Sequence, residues 1–287
     1  MDTSHAANQI GFIHNQQMPD AIALVDFLIK GLNLVGDVWV RPAGELEGFD
    51  SSNQGLDLLV TVGGDGTILR TAHFAAPRSI PILGINLGRV GFMTELAADD
   101  ALEAIPPYLE GEVRVERRAM IQAHILRPSG EDGPEAIMPY HALNDVVVGS
   151  GGGSRMVALQ VKIDGALLAV YHADGMIVAT ATGSTGYALS AGGPIIHPLS
   201  DEILLKPVAT HLELDSAIVL NRDSHVEVSV QSPRPADLYI DGFVQQTLEG
   251  GTRVSVQASP YKTLFLRRYP PEHYYATLMK RLGLTAY

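Results

Sequence analysis

The sequence predicts a two-part chain: an α/β domain built on a parallel, Rossmann-like sheet, then a β-rich domain. Three observations carry this expectation. In residues 1–112, apolar runs of strand length alternate with helix-spaced stretches, as in a parallel sheet covered on both faces. From residue 113 the text turns to single alternation and tight turns, which suits antiparallel β structure. Between a strand and a helix lies Gly63-Gly64-Asp65-Gly66, at a strand's carboxyl end, where open α/β sheets bind ligands.

Each element follows from local pattern. Gln9-Ile10-Gly11-Phe12-Ile13-His14 reads as the first strand. After Pro19, apolar residues at Ala21, Leu24, Val25, Leu28 and Leu32 keep helical spacing. Asp37-Val38-Trp39-Val40 is a second strand and Leu58 to Val62 a third. A short helix from Thr67 and a strand over Pro81 to Asn86 complete this part. Val113-Arg114-Val115-Glu116 opens the second domain, 113–270. Within it, Asp164-Gly165 between apolar flanks signals a hairpin. Short strands are expected at 217–220, 225–230, 237–241, 252–257 and 263–267. Residues 271–287 carry a helix from Glu272 to Leu284, packing back on the body.

Bulk properties narrow the function. The chain has no cysteine, which removes disulfides, thiolate nucleophiles and Cys-built zinc sites and fits a reducing compartment. No apolar run reaches the ~18 residues of a membrane span. The opening MDTSHAANQ lacks the basic-then-apolar order of a signal peptide; the expectation is a cytoplasmic protein. A net charge of −12 argues against nucleic-acid or anionic-membrane partners, which call for clustered cations. It leaves small phosphorylated ligands open, since a few local cations and backbone N–H groups suffice to hold a phosphate.

The chemistry centres on three stretches. Around Asp65, glycines let a ligand approach the backbone. The helix behind them offers free N–H groups and a positive dipole end, and Arg70 adds a cation one turn in. The alternative is a tight βα turn whose Asp caps the helix. Residues 174–198, DGMIVATATGSTGYALSAGGPIIHP, supply small hydroxyls and backbone donors without bulk. Asn144-Asp145, at a strand start, suits the vicinal diol of a ribose, although each residue alone also suits turn chemistry. Other signatures fail: there is no G-x-x-x-x-G-K-[ST], no G-x-G-x-x-G after a strand and no H-E-x-x-H. Thr182 breaks the G-x-S-x-G frame around Ser184. His197 reads as structural, and Gly149 to Ser154 as a hairpin connection.

In combination these stretches resemble the NAD kinase family. G-G-D-G-T at 63–67, G-I-N-x-G-x-x-G-F at 84–92, Asn144-Asp145 and the 174–198 segment occur in that order over nearly the whole chain. G-G-D-G-T alone is shared with diacylglycerol and sphingosine kinases; the long segment is far more specific. The resemblance implies an active site between the two domains and transfer of a phosphoryl group from ATP to the 2′-hydroxyl of NAD's adenosine ribose, with Mg²⁺ accompanying ATP. It implies Asp65 as the catalytic aspartate, and Gly66 and Arg70 as its neighbours at the nucleotide. Phe92 lies against adenine, and Asn144 and Asp145 hold ribose hydroxyls. Arg155, His172, Asp174, Thr185, Gly186, Tyr187, Ala188, Leu189, Ser190 and Ala209 match further NAD-contacting positions. No protein-held metal is implied. A homodimer or homotetramer is, with parts of the site crossing the subunit interface.

The chain departs from the family in places. Gly186 replaces the usual Ala, the proline-rich text near Ala209 is altered, and Phe243 stands where a polar residue is usual, so Phe243 is left out of the site. Two rivals differ in class. A lipid kinase needs an apolar entrance and has no use for residues 174–198. A non-catalytic NAD(H) sensor has no use for a carboxylate at a reacting hydroxyl.

Overall fold

In a computed structural model, residues 6–34, 38–46, 55–88, 91–126, 139–151, 156–210 and 215–283 are described. The chain forms two compact units, Met1–Arg117 with Thr263–Tyr287, and Arg118–Lys262.

The first unit runs through β1 (Ile10–His14), α1 (Pro19–Gly31), β2 (Trp39–Pro42), β3 (Leu58–Val62), α2 (Asp65–Ala75), β4 (Ile82–Asn86) and β5 (Leu96–Ala97). Two short helices, α3 (Ala101–Ala104) and α4 (Pro106–Leu109), precede β6 (Arg114–Leu126). The second unit continues with β7 (Tyr140–Ala142), β8 (Asp145–Gly149), β9 (Val157–Ile163), β10 (Ala166–Ala173), β11 (Gly175–Ala179), α5 (Tyr187–Ser190) and β12 (Ile203–Val208). It ends with β13 (Ile218–Leu220), β14 (Val226–Val230), β15 (Ala236–Ile240) and β16 (Phe243–Leu248). The chain returns to the first unit inside β17 (Arg253–Arg267), and α6 (His273–Arg281) follows. The texture change read at residue 113 marks the start of β6, whereas the units part within β6 and β17.

In the first unit the expected parallel sheet has the order β2-β1-β3-β4, and β5 and the end of β17 also pair parallel to β4. Its apolar runs are buried throughout. Alternate side chains reach opposite faces: Phe12, Leu58 and Val60 join Ala21, Val25 and Leu28 of α1 in one core. The second strand begins at Trp39; Asp37 lies outside the described residues.

The second unit places a six-stranded antiparallel sheet, β13-β12-β11-β8-β15-β16, against strands ordered β10-β9-β14-β17. Val146, Val148, Met176 and Leu238 from the former meet Leu159, Tyr171, Val228 and Val254 from the latter in a shared core. The other face of the six-stranded sheet, with Val147, Ile177 and Leu204, packs on Ala188 of α5. The Asp164-Gly165 hairpin forms as read, with φ of 51° and 81°, the paired left-handed residues of a primed turn. The two strands expected at 252–257 and 263–267 are instead the single β17. Pro260 is exposed there, and its fixed φ is compatible with extended backbone.

Candidate active site

The first cluster forms where β3 gives way to α2. The helix begins at Asp65, two residues earlier than expected, with Gly64 as an extended N-cap that makes no side-chain bond. The Asp65 carboxylate does not cap its own helix. It accepts the Phe92 N–H on Oδ2 at 2.8 Å and the Met93 N–H on Oδ1 at 3.1 Å. Its first-turn position also suits the helix dipole. A carboxylate offers about four acceptor sites, so these two bonds leave lone pairs for a ligand hydroxyl.

The loop that holds Asp65 is itself held. Asn86 Nδ2 donates to the Gly88 carbonyl at 3.1 Å, and its Oδ1 accepts the Gly88 N–H at 3.2 Å. Gly91 N–H donates to Thr94 Oγ1 at 3.2 Å. A Cβ on Gly91 would overlap Asp65 Oδ1 and stand 2.6 Å from its Cγ, so any side chain here would displace the carboxylate. Gly66 is exposed, while Arg70 and Phe92 are half-buried.

The second cluster forms at the start of β8. Backbone N–H groups of Leu143, Asn144 and Asp145 all donate to the Asp241 carboxylate, at 2.9, 2.6 and 3.0 Å. Asp241 (φ 51°) and Gly242 (φ 81°) form the β15–β16 turn. Asp145 is 4% exposed, and its carboxyl is pushed up to about 7 by burial and then by the neighbouring Asp241 charge. Asn144 Oδ1 and Thr182 Oγ1 are buried without a hydrogen-bond partner. Such orphans cost about 1–3 kcal/mol each, a cost a ligand donor would remove.

The loop after β11 closes on this cluster. A Cβ on Gly183 would overlap the Asn144 carbonyl, and one on Gly186 would lie 3.6 Å from Asn144 Nδ2 and 3.9 Å from Asp145 Oδ2. Thr180 Oγ1 donates to the Leu143 carbonyl at 2.6 Å and accepts the Gly183 N–H at 3.1 Å. Thr185 Oγ1 donates to the Thr182 carbonyl at 3.0 Å. On α5, Tyr187 and Ser190 are exposed, Leu189 is half-buried and Ala188 faces the core. Ser184 is fully buried, its hydroxyl tied to Ala181 and Ile196.

A third group sits where β10 and β12 end and β11 begins. Asp174 N–H donates to the Val208 carbonyl at 2.9 Å, and the Asp174 carbonyl accepts the Ser150 N–H at 2.8 Å. This puts Asp174 beside Ala209, a non-glycine residue at φ 50°. That conformation costs roughly 1–2 kcal/mol and, where it is kept, often marks a functional constraint. His172 and Asp174 are both exposed. Arg155 lies outside the described residues.

Sequence reading missed Asp241 and Met93. The Asp-Gly turn at 241 was a visible signal for a hairpin. Nothing local shows its carboxylate reaching residues 96–98 positions away.

Similarity to known proteins follows this division. Residues 36–113 match the ATP-NAD kinase N-terminal domain, and residues 143–268 the ATP-NAD kinase C-terminal domain. The chain belongs to the NAD kinase family. An NAD kinase of Dehalococcoides mccartyi strain CBDB1 is 37% identical over 275 residues, covering 96% of this chain and 95% of that protein. One from Chloroflexus aurantiacus strain J-10-fl is 39% identical over 226 residues, with 79% and 80% covered. Among solved structures, an Archaeoglobus fulgidus NAD kinase in complex with ATP matches with a TM-score of 0.73 at 26% identity, covering 97% of this chain and 100% of the other. Yeast NADH kinase complexed with NADH shares the fold, with a TM-score of 0.83 at 24% identity over 100% and 96%. The chain is accordingly a kinase with NAD kinase activity, which moves a phosphoryl group from ATP to the 2′-hydroxyl of NAD.

Proposed function

We propose that Asp65 is the general base of this NAD kinase reaction. One observation carries the reading: its carboxylate is fixed by the Phe92 and Met93 N–H groups, amid glycines, instead of capping α2. A ribose 2′-hydroxyl is a poor nucleophile. As its oxygen bonds to the γ-phosphorus, the bond from that phosphorus to the β,γ-bridging oxygen breaks and ADP leaves with the electron pair. The hydroxyl proton passes to Asp65. Positioning and charge stabilisation supply most of the remaining catalysis in phosphoryl transfer.

Gly66 and Arg70 serve the nucleotide beside Asp65, and Phe92 packs on adenine. Asn144 and Asp145 take ribose hydroxyls, which the orphaned Asn144 Oδ1 supports. The Thr185–Ser190 segment, Arg155, His172, Asp174 and Ala209 contact the rest of NAD. Among the described residues no three His, Asp or Glu side chains gather as a metal cage. Mg²⁺ commonly binds through substrate phosphates plus one or two carboxylates; accompanying ATP, it would supply charge neutralisation. The working state is a homodimer or homotetramer in the cytoplasm; no helix among the described residues is long and apolar enough to cross a membrane.

Asp65→Asn tests the assignment, since Asn keeps the size and is a very weak base. General-base catalysis contributes ~10²–10⁴-fold, so kcat falls by that order while NAD affinity holds; Asn can accept only one of the Phe92 and Met93 N–H groups, so Tm falls modestly. Retention of a tenth of wild-type turnover removes Asp65 as the base. Activity restored by raised Mg²⁺ points instead to a metal-organising role.

A further inference from the structure

Asp65 is held by the loop at Gly91 to Thr94, and that loop has a second anchor in α6. Arg281 donates from Nη1 to the Phe92 carbonyl at 3.0 Å and from Nη2, more weakly, to the Thr94 carbonyl at 3.5 Å. Its guanidinium stands 5.9 Å from the centre of the Phe92 ring, within cation–π range. The peptide group joining Phe92 to Met93 is therefore engaged at both ends. Its C=O accepts from the Arg281 cation, and its N–H donates to Asp65 Oδ1. Hydrogen bonds linked through one group polarise one another. A cation on the carbonyl makes the same peptide's N–H a better partner for a carboxylate.

Downstream, the loop is fixed by other bonds. Glu95 N–H donates to the Gly84 carbonyl at 2.8 Å. The Glu95 carboxylate accepts from Arg267 Nη1 at 3.0 Å and from the Arg268 N–H at 2.9 Å. These bonds hold residue 95, whereas Arg281 reaches the carbonyls of 92 and 94. A basic residue in the last turn of a helix has an ordinary reading, complementing the helix dipole. That reading does not account for a guanidinium aimed at two carbonyls of a loop 187 and 189 positions away.

We infer that Arg281 is a positioning residue for phosphoryl transfer: it sets the Phe92–Met93 peptide that orients the Asp65 carboxylate toward the reacting hydroxyl. The inference rests on Asp65 acting as the base. It assigns the C-terminal helix a part in catalysis through loop 91–94 and not through contact with either substrate.

The test is a double-mutant cycle on the full chain, with kcat, KM for NAD and Tm measured for Arg281→Ala, Arg281→Gln, Arg281→Lys, Asp65→Asn and Asp65→Asn/Arg281→Ala. Loss of a hydrogen bond from a charged group corresponds to roughly tenfold or more. Arg281→Ala is expected to lower kcat by that factor with KM for NAD within twofold of wild type, and Arg281→Lys to recover much of it. In the Asp65→Asn background the same change should cost less than twofold, because the group being oriented no longer acts as a base. A kcat for Arg281→Ala within twofold of wild type overturns the inference. So does an equal loss in both backgrounds, which is what a purely structural anchor gives. Arg281→Gln, which keeps an N–H donor, supplies the same comparison if the alanine variant does not fold. If Asp65→Asn keeps wild-type turnover, the base assignment falls and this inference with it. If Asp65→Asn is impaired and the Arg281 variants are not, only the inference falls.

Discussion

A carboxyl buried beside another carboxylate is cheaper to keep when protonated, and Asp145 is such a group. Its pKa is raised from 3.8 to about 7, by burial first and by Asp241 second. Between those values the folded chain keeps a proton that the unfolded chain has lost. The stability contributed by this group is therefore fully present below about pH 4, declines as pH rises, and is gone above pH 7. A ribose hydroxyl donating to Asp145 favours the ionised form. NAD should therefore bind more tightly as pH rises from 6 to 8, and binding at pH 6 should release a proton. Calorimetry at pH 6 in two buffers of different ionisation heat measures that release, and Asp145→Asn should abolish it. An NAD affinity flat across this range in the wild type contradicts the role given to Asp145. If His172, exposed on β10, contacts NAD as proposed, its bulky polar side chain would restrict the nicotinamide end more than glycine would. NAD should be preferred over NADH, and His172→Gly should narrow the gap. An unchanged ratio of the two rates sinks that idea.

Loops that glycine makes possible are where elements turn into a site, and two of them give sharp expectations. Gly183→Ala drives a Cβ into the Asn144 backbone, 2.8 Å from its Cα, which has no flexible end to yield. Overpacking of this kind costs about 1–3 kcal/mol, so both Tm and NAD affinity should fall. Gly91→Ala pushes on the Asp65 side chain, which has somewhere to go. It should cut kcat severely while sparing Tm and NAD affinity. Equal effects of the two substitutions on NAD affinity would mean that the loops do not divide the labour in this way. The same elements show what was legible beforehand. β1, α1, β3, β4 and the Asp164 hairpin followed from apolar period and turn chemistry, which are local properties. That Asp65 bonds to residues 27 and 28 positions on, and that Asp241 gathers the amides of 143–145, depends on sheet pairing across long separations. Local pattern carries no such information. The gap expected between the strands at 252–257 and 263–267 is absent because an exposed Pro260 fits the extended backbone of the single β17.

For the molecule as a whole, edge strands and net charge act against each other. Among the described residues, β10, β13 and β16 lie at the ends of their strand orders. They present Leu167 (59% exposed), Val219 (51%) and Val244 (60%) to solvent. Edges of this kind invite pairing with another chain unless they are covered, and self-association into a closed symmetric oligomer covers them. Each chain also carries a net charge of −12, so like charges repel as copies approach. That repulsion is long-ranged and screened by salt, with a Debye length of ~30 Å at 0.01 M and ~8 Å at 0.15 M, whereas apolar burial does not weaken with salt in this way. The oligomer should therefore tighten as ionic strength rises, opposite to an assembly held by charge pairs. His172 and Asp174 lie on and just after β10, so specific activity should follow assembly, and Leu167→Glu should reduce both. Light scattering with activity assays at 10 mM and 150 mM salt and a range of protein concentrations gives the comparison. A monomer with full specific activity, at either salt concentration, would refute the oligomeric reading. Dissociation on adding salt would leave an oligomer but replace apolar burial with ion pairing as its cause.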